Sequence, residues 1–152
     1  MIKPLYLVRI VATLLIALAP TMAAQADDKF ELPSIGGYSP VSYFTEDAAE
    51  LGSPEFAVVH KGKRYFLTSA AQVELFNEDP NKYRPRHEVC TYSLALGMVR
   101  PLNPTKFKIV NDSLVLFHVD ESKDALFEWN NSELSEEELM RRADGNQLLI
   151  KF

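Results

Sequence analysis

Residues 55–67, which read EFAVVHKGKRYFL, decide the fold. β-branched and aromatic residues stand on both sides of Lys61-Gly62-Lys63, and such runs around a short glycine turn predict a β-hairpin. Residues 107–119, which read FKIVNDSLVLFHV, show the same pattern around Asn111-Asp112-Ser113. The chain therefore contains two predicted hairpins.

Short helices are predicted beside both hairpins. Ser69 with Gln72, and Ser135 with Glu138, form capping-box pairs that satisfy the free backbone donors of a helix start. Asp120 is predicted to cap a further helix after the second hairpin. Hairpins that alternate with short helices predict one small α+β domain, with antiparallel hairpins packed against the helices.

Two features are predicted to end these helices. Pro80 is expected to end the first, and Asp144-Gly145-Asn146 the last. No sequence repeat of 20 to 50 residues is evident, although the order of hairpin and helix occurs twice.

Composition excludes several classes of function. The 152 residues carry 16 Lys and Arg against 21 Asp and Glu, which gives a net charge of −5. This acidic balance argues against a nucleic-acid partner, because phosphate neutralisation needs clustered cations. A single cysteine excludes an intramolecular disulfide and any multi-cysteine zinc finger. The length suits one domain.

The N-terminus has the layout of a secretory signal peptide. Lys3 and Arg9 precede the apolar run 10–19, and small residues follow, with the best cleavage site at 24–26. A membrane anchor is the alternative, but this run is shorter than the roughly 20 apolar residues of a transmembrane helix. We therefore expect a signal peptide over 1–26, a flexible tail over 27–36 and a periplasmic or secreted protein without a membrane anchor after cleavage.

Three segments resemble a known family. Residues 37–44 (GYSPVSYF), 61–66 (KGKRYF) and 76–83 (FNEDPNKY) are similar in order and spacing to a YHS domain. The resemblance covers about residues 37–85, and the rest of 37–152 resembles the C-terminal hairpin and helix extension of a secreted bacterial YHS-like subgroup. It implies a small α+β fold and a link to metal handling through cysteine ligands.

The sequence departs from that family at the metal site. The positions where the resemblance implies cysteines hold Ser42, Thr68 and Gln72. Hydroxyl and amide groups are poor ligands for soft metals compared with thiolates. The usual three-cysteine site is therefore absent from this sequence.

The remaining candidate metal ligands surround the single cysteine. His87 precedes Cys90 by three residues and Met98 follows it by eight. Imidazole, thiolate and thioether together suit copper, and zinc also accepts Cys and His. His60 and His118 each follow an apolar strand run, so they could complete the site if the two hairpins converge.

Two other roles stay open for Cys90. Free cysteine is often a small buried core residue, or His87 could lower its pKa to give a reactive or redox thiol. Catalysis is not expected, because neither an oxyanion hole nor an orienting residue can be identified from the spacing.

We therefore expect an exported YHS-like domain that binds copper, zinc or a small ligand without catalysis. The alternative is a metal-free protein-interaction module on the same scaffold, with an unknown protein as its partner. A Cys/His thiol enzyme or redox protein is a further alternative.

Overall fold

The first predicted hairpin is confirmed. The computed structural model describes residues 32–150, and in it β1 (Ser53–His60) pairs antiparallel with β2 (Lys63–Leu67). Lys61 and Gly62 between them have φ values of 51° and 76°. Two successive positive φ angles are the geometry of a type I′ turn, which matches the twist of the strands that it joins.

The second predicted hairpin is also confirmed, with different ends. β3 (Asn103–Val110) pairs with β4 (Ser113–Phe117) through Asn111 and Asp112, whose φ values are 47° and 56°. β3 starts four residues before the predicted run, and β4 ends before His118. The turn chemistry of Asn and Asp tolerates this left-handed backbone.

The two hairpins have the same register, displaced by fifty residues. Ser53 pairs with Leu67, and Asn103 pairs with Phe117. In both hairpins the pairing is then interrupted, and it resumes four residues later in the long strand and one residue earlier in the short strand. Proline at positions 54 and 104 is the one identity in the paired strands, which is why the sequence alone does not show this structural duplication.

A local hydrogen bond accompanies the interruption in both hairpins. The Ser53 hydroxyl accepts from the backbone N–H of Glu55 at 3.2 Å, and the Asn103 side-chain oxygen accepts from the N–H of Thr105 at 2.9 Å. Such side-chain turns divert backbone donors from the strand ladder. Both hairpins therefore leave regular pairing by the same means.

The helices of the N-terminal half are short. They are α1 (Ser42–Thr45), α2 (Ala70–Glu78) and α3 (Pro80–Tyr83), with a 3₁₀ turn at Ser34–Gly37. The Ser69 hydroxyl accepts from the Gln72 N–H, which confirms the predicted cap, but the Gln72 side chain accepts from the N–H of Thr68 instead of returning a bond to Ser69. Pro80 begins α3 rather than only ending α2, because the carboxylate of Asp79 caps this next helix.

The C-terminal half adds α4 (Thr91–Ala95), α5 (Ala125–Asn130) and α6 (Glu136–Gln147). The Ser135 cap of α6 is confirmed. Two predictions are wrong. Asp124 caps α5, since its carboxylate accepts from the N–H groups at the helix start, whereas Asp120 closes the preceding turn. α6 also continues through Gly145, because tertiary packing outweighs the weak helix propensity of glycine.

Three apolar clusters hold the helices and hairpins together, which confirms the α+β prediction. Tyr65, Leu67 and Phe76 belong to the first, and Val115, Phe117 and Trp129 to the second. The third cluster joins the halves and comprises Ile35, Tyr43, Leu114 and Leu116.

Tyr43 carries much of the contact between the halves. Its ring lies edge-on to Phe107 at 4.8 Å, and its hydroxyl donates to the carbonyl oxygen of Pro104 at 2.9 Å. Burial raises the pKa of this phenol far above its usual range, so it acts as a neutral hydrogen-bond donor.

The N-terminal segment before α1 contributes to the core through Ile35, whereas Leu32 is exposed. Ile35, which falls in the predicted tail, is buried. The predicted signal peptide lies outside the described residues. Within residues 32–150, every helix is too short or too polar to cross a membrane.

Candidate functional site

Cys90 is fully buried, with no exposed surface, at the N-terminus of α4. Its sulfur accepts a hydrogen bond from the N–H of Ser93 at 3.4 Å. The backbone N–H of Cys90 donates to the carbonyl oxygen of Arg100 at 3.0 Å. The thiol therefore acts in the structure as a helix cap within the second cluster, which accords with the core role left open for it.

His87 is also buried, and both of its ring nitrogens have partners. Nε2 lies 3.0 Å from the Asp144 carboxylate, and Nδ1 lies 3.1 Å from the Thr91 hydroxyl. Because a carboxylate only accepts, Nε2 donates, and neutral Nδ1 then accepts from Thr91. A metal ion at either nitrogen would have to displace one of these bonds.

The carboxylate of Asp144 connects this histidine to a guanidinium. Arg86 binds it with two hydrogen bonds of 3.0 and 2.9 Å. Burial raises the pKa of Asp144, but the bonds from Arg86 and His87 together lower it below its usual value. Burial lowers the pKa of His87 more than Asp144 raises it. The pair is therefore a carboxylate beside a neutral imidazole.

The sequence did not reveal this network. Asp144 stands more than fifty residues from His87 in the chain, and the sequence pattern predicts it only as part of a helix end. Asp144, His87 and Thr91, in this order, resemble the orienter, base and nucleophile of a catalytic triad, but Thr91 has no exposed surface that a substrate could reach. The contacts instead fasten the segment 86–91 to α6.

The other two histidines lie elsewhere. His60 ends β1, where its ring packs edge-on against Phe76 at 6.2 Å between ring centres. His118 follows β4 and contacts the carbonyl oxygen of Pro101 at 3.0 Å and the carboxylate of Asp120 at 2.9 Å. This contact and the local turn lower the pKa of Asp120 far below its usual range.

The predicted ligands do not form a preassembled metal site in the described part of the chain. Met98 lies in the loop after α4 and is 40% exposed. Among residues 32–150, no group of three or more His, Cys, Asp or Glu side chains is placed to hold a metal ion. Copper or zinc binding through Cys90 and His87 stays a prediction.

Two of the three positions at which the YHS resemblance implies cysteines belong to a hydrogen-bonded cluster. The side-chain oxygen of Gln72 accepts from the Ser39 hydroxyl at 2.6 Å and from the N–H of Thr68 at 3.1 Å. Ser42 is fully buried, and its hydroxyl has no partner among residues 32–150. Hydrogen bonds thus occupy two of the three positions at which the resemblance implies thiolates.

A cleft between the two halves lies beside His87. Its volume is about 230 Å³. Its lining comes from the 3₁₀ turn, from β2, from the segment between α3 and α4 and from the residue before β3. The lining residues are Ser34, Ile35, Gly36, Lys63, Tyr65, Arg84, Pro85, His87, Glu88 and Leu102. We call it the junction cleft.

The lining of the junction cleft contains both charged and apolar residues. Lys63 and Glu88 of this lining form an ion pair, and both side chains are about 40% exposed. The buried Tyr65 and His87 also belong to its lining. The lining is thus more polar than apolar, and it can offer charged groups as well as a smaller apolar surface to a ligand.

Backbone strain occurs in the same lining. Ile35 has φ 50° and ψ 38°, and Gly36 has φ 63°. A β-branched residue in the left-handed region is rare because its side chain crowds the backbone. Strained residues of this kind cluster at functional sites, so this conformation points to the junction cleft.

Comparison of the chain with protein-family models, with curated proteins and with solved structures gives no match.

Proposed function

We propose that this protein is a non-catalytic binding domain whose site is the junction cleft and whose ligand is a small organic molecule. The observation that carries the proposal is a cleft of about 230 Å³ lined by segments from both halves. The strained backbone of Ile35 forms part of its lining. Sites between structural units are where small ligands bind most often.

The lining favours a ligand with an apolar body and a charged end. Leu102, Pro85 and Tyr65 provide apolar surface, whereas Arg84 makes no ion pair with a carboxylate among residues 32–150. A cation that lacks a carboxylate partner at a cleft of this size favours an anionic group such as a carboxylate. The Lys63–Glu88 pair offers a second polar anchor.

Binding without turnover accords with the state of the groups in the lining. The nitrogens of His87 are engaged by Thr91 and Asp144, so this imidazole is not placed to take a proton from a ligand. The cleft supplies recognition rather than a paired nucleophile and base.

Ligand-observed NMR on the full chain with a set of small organic acids and amines tests the proposal. We expect at least one compound to bind, and Leu102→Trp, which fills the cleft, to abolish its signal. Leu96→Trp is the matched control, because Leu96 is exposed and lines a different surface. Equal binding to both variants would contradict the assignment of the cleft.

Metal binding has a separate test. If Cys90 anchors copper or zinc, the full chain should take up one equivalent of the ion and Cys90→Ser should lose it. Because the sulfur is buried and caps α4, uptake also requires that α4 opens, which amide exchange would reveal. A chain that folds without metal and whose melting temperature does not change on metal addition would favour the metal-free interaction module instead.

A further inference from the structure

A second depression adjoins the junction cleft on the neighbouring face, and its lining is basic. Its volume is about 250 Å³, and it is lined by Asn81, Lys82, Arg84, Pro85, Arg86 and Ser113. No carboxylate belongs to this lining. We propose that this basic depression binds a phosphate dianion, either free or carried by a lipid headgroup.

Two cations in the basic depression are not neutralised. Lys82 lies over the ring of Tyr83 at 5.2 Å, and Arg84 donates through Nε to the side-chain oxygen of Asn81 at 3.2 Å. Neither has a carboxylate partner among residues 32–150, although acidic residues outnumber basic ones in the chain. Their two charges match a phosphate group, which carries about −1.5 to −2 at pH 7.

Neutral donors complete the lining. The side-chain oxygen of Asn81 accepts from Lys61 at 3.0 Å as well as from Arg84, so its amide nitrogen points away from both cations. The Ser113 hydroxyl has no partner within residues 32–150 and can donate to an oxyanion. Phosphate oxygens accept several such bonds at once, which a single carboxylate does less well.

Two acidic residues that are hydrogen-bonded to residues of the basic depression already have their carboxylates engaged. Asp79 caps α3 by accepting from the N–H of Lys82, and Asp144 is held by Arg86 and His87. The bidentate bonds fix the guanidinium of Arg86 in place. Lys82 is exposed and Arg84 is partly exposed, so an anion in solution can reach their side-chain charges.

The basic depression and the junction cleft can be tested apart. Lys82 and Ser113 line only the depression, whereas Lys63 and Glu88 line only the cleft. Lys82→Gln therefore reports on phosphate binding, and Lys63→Gln reports on the cleft. Arg84 and Pro85 line both features, so the separation of the two proposals rests on Lys82 and Lys63 and not on Arg84.

The experiment is a titration of the full chain with inorganic phosphate, followed by amide NMR, with sodium chloride at matched ionic strength as the reference. We expect saturable shifts at residues 81–86 and 113 with phosphate alone. Lys82→Gln should weaken binding about tenfold, as loss of a charged hydrogen bond does. Lys123→Gln, which removes one charge in the loop before α5, should change it less than about twofold.

A second arm separates the two sources of phosphate. Co-sedimentation of the full chain with phosphatidic acid vesicles, whose headgroup is a phosphate monoester, but not with phosphatidylcholine vesicles, would assign the lipid headgroup if Lys82→Gln abolishes it. Saturable phosphate shifts without sedimentation would assign the free ion. The proposal would be overturned if sodium chloride alone produced the same amide shifts. It would also be overturned if Lys82→Gln bound phosphate and vesicles as well as the unmodified chain does.

Discussion

The two hairpins have the same register but occupy different environments. In β4, Leu114, Leu116, Val115 and Phe117 have no exposed surface, and alternate residues belong to different apolar clusters. In β2, only Tyr65 and Leu67 are buried. The second hairpin is thus the centre of the molecule, and the first is free to present side chains to the junction cleft.

The largest expected effect concerns the residue before each hairpin. A Cβ atom at Gly52 would lie 2.4 Å from the carbonyl carbon of Phe66. Gly52→Ala should therefore cost about 4 kcal/mol or prevent folding, as severe overpacking does. The equivalent position fifty residues later holds Leu102. Leu102→Ala should cost about 1 kcal/mol in urea unfolding, and similar costs for both variants would break the comparison.

The next effect compares equivalent strand positions. Leu116 is fully buried, whereas Phe66 fifty residues earlier is only partly buried. Leu116→Ala should lower the free energy of unfolding by about 3 kcal/mol, and Phe66→Ala by about half as much. Chemical denaturation with an unchanged m-value measures both. A larger loss of unfolding free energy for Phe66→Ala than for Leu116→Ala would mean that the first hairpin, and not the second, is the centre of the molecule.

A smaller effect concerns the buried hydrogen bond between Ser39 and Gln72 in the N-terminal half. Ser39→Ala removes the 2.6 Å hydrogen bond to Gln72 and should cost about 1 kcal/mol. Ser42→Ala is the matched control, since its buried hydroxyl has no partner among residues 32–150. We expect thermal melting to show little or no loss for Ser42→Ala. A loss equal to that of Ser39→Ala would mean that the Ser42 hydroxyl has a partner.

The hydrogen bond between His87 and Asp144 predicts that the free energy of unfolding depends on pH. The pKa of His87 is lowered by burial, so the unfolded chain binds the proton more tightly than the folded chain. Stability from the neutral ring is present above the ordinary histidine pKa of about 6.5 and is lost as the pH falls below it. Asp144 stays ionised there because its pKa is also lowered.

His87→Gln should flatten this dependence, and His118→Gln should leave it in place. Urea unfolding at several pH values between about 5 and 7.5 measures the slope. A slope that His87→Gln does not change would show that another group is responsible.

Local patterns in the sequence predicted both hairpins and the caps at Ser69 and Ser135, because turn and cap chemistry is written within a few residues. The continuous apolar run of β4 also differs from the mixed β2. The pairing of His87 with Asp144 could not be predicted, since only tertiary packing brings α6 beside residue 87. The displacement of fifty residues was hidden because the two hairpins share backbone geometry rather than side chains.

The central claim is that the junction cleft holds a small ligand. The most direct measurement is chemical-shift mapping by ¹³C-methyl and ¹⁵N-amide NMR on the full chain with the compound that binds best. We predict the largest changes at Ile35, Leu102 and the amide of Lys63. Changes confined to the exposed loop residues Leu96, Met98 and Val99, or no saturable change at all, would contradict the claim.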